Sequence, residues 1–371
     1  MFKFRRQRNT VRRLVVLLSI VSLACDSGGS GSTYVLGAAG PWTQAFGLAN
    51  RRGMELARDE INARGGIKGR KLELLFKDDS GSGSVAARVA KQFVDDPAVL
   101  AVVGHVSSGA MLAAARVYDG HLVAIATTAT NPALTGISPW TFRVISSDSA
   151  NGVELARGVS ALHLRRVAIL YENDGYGRGL SASFTAAFKG EVISSDPIGG
   201  DIKDAEPYIA YFKKMQPDAV LVAGTDASGL LILREARRQQ LKTQFVGGDG
   251  WTPVVDDTVA SEGALIGAPF TAEDPRPEAR KFVEAFRAKY KAEPDGNAAL
   301  GYDATLVLAG AIGGAGNDRA AIREWLHGLN ERTAIAGATG PIRFRADGDP
   351  VGKGIVLTRA RHGRLIVEKT Q

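Results

Sequence analysis

One pattern constrains this chain above all others. Short apolar runs alternate with amphipathic stretches, and run after run ends in a small, polar turn. Residues 99–135 hold the clearest case. The apolar run 99–103 ends in Gly104-His105-Val106-Ser107-Ser108, and a small-residue stretch with helical spacing continues from 109 to about 118. A second apolar run, 122–126, ends in Thr127-Thr128-Ala129-Thr130-Asn131-Pro132. This spacing predicts strand, turn, helix, strand, turn. Two consecutive parallel strands then carry hydroxyl-rich turns at their carboxyl ends, where open α/β sheets bind ligands. Such turns suit a small anionic or zwitterionic molecule.

The alternation extends along the chain. Strands are expected at 34–37, 71–76 and 141–145, with helices up to 63 and at 85–94. After Ser146 the pattern restarts, with strands at 167–171, 192–194, 219–223, 244–246 and 264–268 between helices at 152–162, 180–188, 205–215 and 229–239. Three helices follow, at 278–290, 298–310 and 319–329, then strand pieces at 342–344, 355–358 and 365–367. About ten strands in the repeating part exceed one comfortable sheet. The expected fold is therefore α/β, with two doubly wound parallel-sheet lobes, each covered by helices on both faces.

A length of 371 residues agrees with two domains. Residues 1–24 read as a secretion signal: Lys3, Arg5, Arg6, Arg8, Arg12 and Arg13 precede an apolar run at 14–24, which is too short for a membrane span. No later segment reads as a span either. Cys25, the single cysteine, follows Ala24 as in a bacterial lipobox, with Ser22 where leucine is preferred, and is expected to be lipidated. Residues 25–32 then form the anchor and a flexible tether. The formal charge is +7, and the signal's six basic side chains account for all but +1 of it. The basic balance is thus no argument for a nucleic-acid partner. One cysteine permits no internal disulfide.

Catalytic and cofactor signatures are missing. There is no HExxH, paired CxxC, Walker A or GxSxG motif, and Gly175-x-Gly177-x-Gly179 has the wrong spacing for a dinucleotide loop. The five histidines show no metal-ligand spacing. No catalytic residue, metal or cofactor is expected. The polar turns each have a plain alternative: Ser107-Ser108 as a helix N-cap, Thr127–Thr130 as an ordinary strand-end turn, Asp249 as a turn residue, and Tyr176 and Trp251 as packing aromatics. Taken together they sit at the carboxyl ends of four strands in both halves, which favours one shared cleft.

Several ordered motifs carry a resemblance: Asp59-Glu60-Ile61-Asn62-Ala63-Arg64-Gly65-Gly66-Ile67-Lys68-Gly69-Arg70, Asp78-Asp79, Gly104 to Ser108, Ala129-Thr130-Asn131-Pro132-Ala133-Leu134-Thr135, Tyr176-Gly177, Leu241-Lys242-Thr243-Gln244-Phe245 and Gly301-Tyr302-Asp303-Ala304. From Tyr34 onward the chain resembles type I periplasmic substrate-binding proteins of the branched-chain amino acid (leucine/isoleucine/valine) ABC transporter family. The resemblance implies lobes of 33–146 plus 275–335 and 147–272 plus 340–371. They would be joined by a three-strand hinge crossing near 146–148, 271–275 and 334–340. It implies that Ser108 and Thr130, with the backbone at Thr128 and Ala129, hold a ligand carboxylate, and that Asp249 and Tyr176 meet its ammonium from the other lobe.

Departures from the family pattern fall on the side-chain pocket. Asp249 stands where glutamate is common, Thr225 where an aromatic is common, and Phe46 where tyrosine is common; Gly81 and Ser107 replace cysteines seen in some members. Trp42, Phe46 and Trp251 are expected to supply an apolar wall. The function implied is that of an exported, lipid-anchored periplasmic protein delivering an amino acid to an ABC permease by hinge closure. The rival is a sensor for an amide, urea or small carboxylate that acts through a signalling partner. A hydrolase is disfavoured because no nucleophile–base pair can be assembled.

Overall fold

The computed structural model describes residues 33–369 together with Met1 and Phe2. Most of the expected signal, and all of Cys25 and the tether to residue 32, lie outside the described residues. From Thr33 onward the chain forms one compact unit, built on two main sheets.

The first sheet has five parallel strands, β1 (Tyr34–Gly40), β2 (Leu72–Asp78), β3 (Val99–Val103), β4 (Ala124–Ala126) and β5 (Thr141–Arg143), in the order β2-β1-β3-β4-β5. Its crossovers include α1 (Ala45–Ala63), α2 (Gly83–Asp95) and α3 (Ser108–Tyr118). Both faces are buried, which explains why β3 reads as an unbroken apolar run. Ala101 and Val103 pack with Met54, Leu300 and Val307 on one face, while Val99 and Val102 pack with Val89, Phe93 and Met111 on the other.

The second lobe repeats the plan. It runs through α4 (Asp148–Ala161), β6 (Arg166–Glu172), α5 (Gly175–Ala187), β7 (Glu191–Ile198), α6 (Glu206–Met215), β8 (Ala219–Ala223), α7 (Asp226–Arg238), β9 (Gln244–Gly247), a 3-10 stretch (Asp249–Asp256) and β10 (Leu265–Ala268). The chain then returns to the first lobe as α8 (Pro277–Tyr290), α9 (Gly296–Ala315) and α10 (Arg319–His327), followed by the hairpin β11 (Ile335–Gly337) and β12 (Gly340–Ile342). Finally β13 (Val356–Arg361) and β14 (Arg364–Val367) join antiparallel, giving β14-β13-β10-β9-β8-β6-β7.

Both sheets reverse strand order near one end, between β1 and β3 and between β6 and β8, so each opens a crevice at its carboxyl edge. The two crevices belong to the two halves of the cleft described below.

Three expectations need correction. The segment 340–349, expected in the second lobe, packs on the first: Ile342 and Phe344 fill its core beside Phe142, and Asp349 answers the buried Arg143. Ile355 is the next residue packed in the second lobe's core, so the third crossing lies at about 350–355 rather than at 334–340. The helix expected from 180 already begins at Gly175, started by Asp174, whose side chain accepts the Gly177 N–H at 2.8 Å. Lastly, α9 has 20 residues and is long and apolar enough to cross a membrane, yet most of it is buried. Its packing on α1 explains the apolar composition. A Cβ on Gly53 would lie 1.9 Å from Ala298 O, and one on Gly301 2.3 Å from Asn50 O, so the two backbones meet where no side chain fits.

Candidate functional site

The turns after β3 and β4 are locked together. Ser108 is the first residue of α3, 2% exposed, and its Oγ accepts the backbone N–H of Thr130 and of Asn131, each at 3.2 Å. Ser107 precedes it as the N-cap without a side-chain cap bond, so neither serine closes the helix in the usual way. With two N–H groups received, the remaining hydrogen-bonding capacity of Ser108 Oγ is its own proton, beside the free N–H groups of the α3 terminus. The Thr128 hydroxyl donates to Val106 O at 2.9 Å and ties the second turn to the first. Ala129 and Thr130 are buried.

A buried arginine sets the shape of this turn. All five N–H donors of Arg143 are used: Nε and Nη2 on Asp349 (2.5 and 2.8 Å), Nη1 on Thr130 O and Asn131 O (3.0 Å each), and Nη2 on Thr135 Oγ1 (2.5 Å). The Thr130 hydroxyl donates to Asp148 Oδ2 at 2.9 Å. Expected as a donor to an anion, it is already committed and presents lone pairs. Behind the turns, His105 Nδ1 lies 2.5 Å from Asp79 Oδ2 and its Nε2 lies 3.0 Å from the Tyr118 hydroxyl, a buried structural triad.

Across the cleft, Tyr176 in the first turn of α5 donates its hydroxyl to Asp249 Oδ1 at 3.1 Å and receives the Gly250 N–H at 3.1 Å. Both side chains are buried. Burial pushes the Asp249 carboxyl up to about 6, and burial together with the Asp249 charge raises the Tyr176 phenol well above its usual range. Thr225, the N-cap residue of α7, gives its N–H (3.0 Å) and its hydroxyl (2.9 Å) to Glu172 Oε1, which also takes the Ser228 hydroxyl at 2.7 Å.

The two faces touch. Asn131 Nδ2 donates to Gly175 O, and a Cβ on Gly175 would meet Gly109 N at 3.0 Å and Gly109 Cα at 3.2 Å. The spaced glycines at 175, 177 and 179 thus serve close approach. Gly177 leaves room for Glu172 O and Ala223 O, and Gly179 for Asn131 and Asp148.

The expected aromatic wall divides. Phe46 is buried yet joins none of the apolar clusters of the lobes. Trp42 is partly buried, with its Nε1 on Lys77 O at 2.9 Å and its ring edge-on to Phe76. Trp251 does not line the cleft: its indole is fully buried in the core of the second lobe, in space left by Gly229 and Gly247. A cavity of about 480 Å³ lies between α1 and the 3-10 stretch, with Leu48, Thr252 and Asp295 on its wall, but none of the expected polar site residues lines it. Among the described residues no group of three or more His, Cys, Asp or Glu is placed to hold a metal ion.

Asp148, Arg143 and Glu172 escaped the sequence reading. Arg143 and Asp349 are 206 residues apart, beyond any local pattern. Asp148 gave a weak signal, standing in the first turn of a helix that opens at a lobe crossing.

Comparison with known proteins agrees with this architecture. The sequence matches the family described as periplasmic binding protein over residues 35–364. It is 33% identical over 333 residues to an amino acid binding protein of Pseudomonas aeruginosa, covering 85% of this chain and 88% of that one. It is 32% identical over 328 residues to the Leu/Ile/Val-binding protein of Escherichia coli, covering 86% and 87%. Among solved structures, the branched-chain amino acid transporter substrate-binding protein LivJ of Streptococcus pneumoniae, in complex with isoleucine, superposes with a TM-score of 0.84 at 29% identity, covering 91% of this chain and 99% of that one. With the two-lobed fold, the facing turns and a match along nearly all of the described chain, this protein belongs to the periplasmic binding protein family.

Proposed function

We propose that this protein binds an amino acid, branched-chain or otherwise apolar, outside the cytoplasm and delivers it to an ABC importer by closing its two lobes around it. One observation carries the reading: a donor-bearing face, Ser108 and the α3 terminus, stands opposite an acceptor-bearing one, Tyr176 and Asp249. A zwitterion presents the complementary charges. The carboxylate goes to fixed N–H and O–H dipoles at a helix N-terminus, and the ammonium to a buried carboxylate that otherwise lacks a cation. Phe46, buried outside both cores, is the apolar contact for the ligand side chain.

The relatives point to the same class, since one is named for leucine, isoleucine and valine and another holds isoleucine. On this reading Cys25 is the lipid anchor, the protein is held at the periplasmic face of a membrane, and the partner of the closed form is the membrane permease.

A thermal-shift screen of the amino acids against amides, urea and small carboxylates tests it, because a ligand bound only by the folded state raises the melting temperature. Apolar amino acids should give the largest shifts. Asp249→Ala should weaken their calorimetric affinity at least tenfold, about 1.4 kcal/mol. A shift confined to carboxylates without an amino group would overturn the reading.

A further inference from the structure

The 3-10 stretch that begins at Asp249 has two faces. Side chains three residues apart eclipse one another in such a helix, so Trp251 and Val254 form one row and Asp249 and Thr252 another. Trp251 and Val254 are sunk in the core of the second lobe. Thr252, 1% exposed, is bonded elsewhere: its side-chain partners stand at the start of α9, in the first lobe.

Those partners are held firmly. Asn297 Nδ2 gives one N–H to Thr252 Oγ1 at 3.0 Å and the other to Asp295 Oδ2 at 2.8 Å. Asp295 is the N-cap of α9, and its Oδ1 receives the Ala298 N–H at 2.9 Å. The Asn297 carbonyl in turn accepts the Asn50 Nδ2–H from α1 at 2.8 Å. Asn297 is thus fixed by its own lobe at three points, and its bond to Thr252 is the one that crosses to the other. Thr252 and Asp295 also form part of the wall of the 480 Å³ cavity beside α1, so water reaches both sides of the bond as it parts.

We infer that Thr252 and Asn297 form a latch between the lobes, made of protein atoms alone, which sets where Asp249 stands over the first-lobe turns and holds the closed form whichever ligand is in the cleft. The inference rests on the lobe-closing reading above and not on the identity of the ligand. Thr252 is a positioning residue: one 3-10 turn beyond Asp249, it acts through that carboxylate and through closure. Opening the lobes hands both side chains to water, so the latch is worth only the surplus of one hydrogen bond over its hydrated parts. A bond that needs no ligand atom raises the closed fraction by one factor, and its loss weakens every ligand by that same factor. Asp249→Ala, in contrast, should discriminate between ligands with and without an amino group.

The test compares wild type with Thr252→Val, which keeps the branched shape and removes the hydroxyl. Calorimetry and stopped-flow release with L-leucine, L-isoleucine and L-valine are joined by small-angle scattering of the ligand-free proteins. Affinity should fall about threefold to tenfold, by one common factor for the three ligands and through faster release. Ligand-free Thr252→Val should have the larger radius of gyration. Thr252→Ser, which keeps the hydroxyl, should restore both readings. Asn297→Ala should match Thr252→Val, and the double variant should be no weaker than either. Equal radii, an unchanged affinity, losses that differ between the ligands, or losses that add in the double variant each overturn the inference. So does a fall in the urea midpoint of the ligand-free protein as large as the fall in affinity, since Thr252 would then support the fold rather than closure. The scattering comparison uses no ligand: if no amino acid binds wild type, the amino-acid reading fails and the two radii still decide the latch.

Discussion

The two faces of the cleft are built on opposite principles. On the first lobe the polar groups around the turns are almost all satisfied within the protein, by Ser108, Thr128 and Arg143, and what remains is chiefly donors, with the lone pairs of Thr130 the exception. On the second lobe and at the hinge the groups left over are carboxylates whose burial penalises their charge. The first face is stable when empty and ready for an anion. The second carries an electrostatic cost that protonation relieves and, on the reading proposed above, a ligand ammonium would relieve at neutral pH. On that reading, the contrast predicts that folding depends more on the first face and ligand binding more on the second.

Breaking the first face should therefore be the more damaging to the fold. Arg143→Met removes all five N–H donors at once, leaving Asp349 with Arg345 and Thr135 as its remaining side-chain partners, and Thr130 O and Asn131 O with only the backbone N–H groups of Asp148 and Leu134. Removing one member of a buried ion pair costs about 3–5 kcal/mol. Urea unfolding at neutral pH should show a loss of that size, and one below about 1 kcal/mol would mean that the turn holds its shape without the guanidinium.

On the second face the sign reverses. A carboxyl whose folded pKa is raised holds its proton more tightly when folded, so its cost is absent below the unfolded value and complete above the folded one. For Asp249, pushed up to about 6, the cost appears between roughly pH 4 and 6 and amounts to on the order of 3 kcal/mol above that window. Asp249→Asn should accordingly stabilise the ligand-free protein at pH 7, with the gain shrinking to nothing by pH 4. Melting curves of stripped wild type and variant at the two pH values would expose the opposite trend, a variant less stable at pH 7, as fatal to this account.

The same contrast explains what could be read from the sequence. Strand–helix alternation and small polar turns are local signals, so the two lobes, β3, β8 and the positions of Ser108, Thr130, Tyr176 and Asp249 were legible. The supports are not local. Arg143 finds Asp349 across 206 residues, and Glu172 reaches Thr225 across 53. The third crossing was misplaced because a short hairpin, β11 and β12, separates α10 from the strands that return to the second lobe, and nothing in its composition says which core Ile342 and Phe344 enter. Trp251 was read as a cleft wall because it follows a strand-end turn; only packing shows that Gly229 and Gly247 make room for it inside.

Where the faces meet at Gly175, neither principle holds, and beside the hydrogen bond from Asn131 Nδ2 to Gly175 O the contact is one of shape. Gly175 begins α5 and lies against the backbone of Gly109 and Ser108, atoms that cannot rotate aside. A methyl group there would be 3.0 Å from Gly109 N, tighter than an ordinary contact. Overpacking of this kind costs about 1–3 kcal/mol, and on the hinge-closing reading proposed above it is incurred only on closure. Gly175→Ala should thus leave the urea midpoint of the empty protein unlowered, since alanine also favours helix. Its affinity for the ligand should fall roughly fivefold to a hundredfold. Equal loss of stability and affinity would place the contact in the resting fold, and the two faces would then be one preformed site rather than two halves brought together by the ligand.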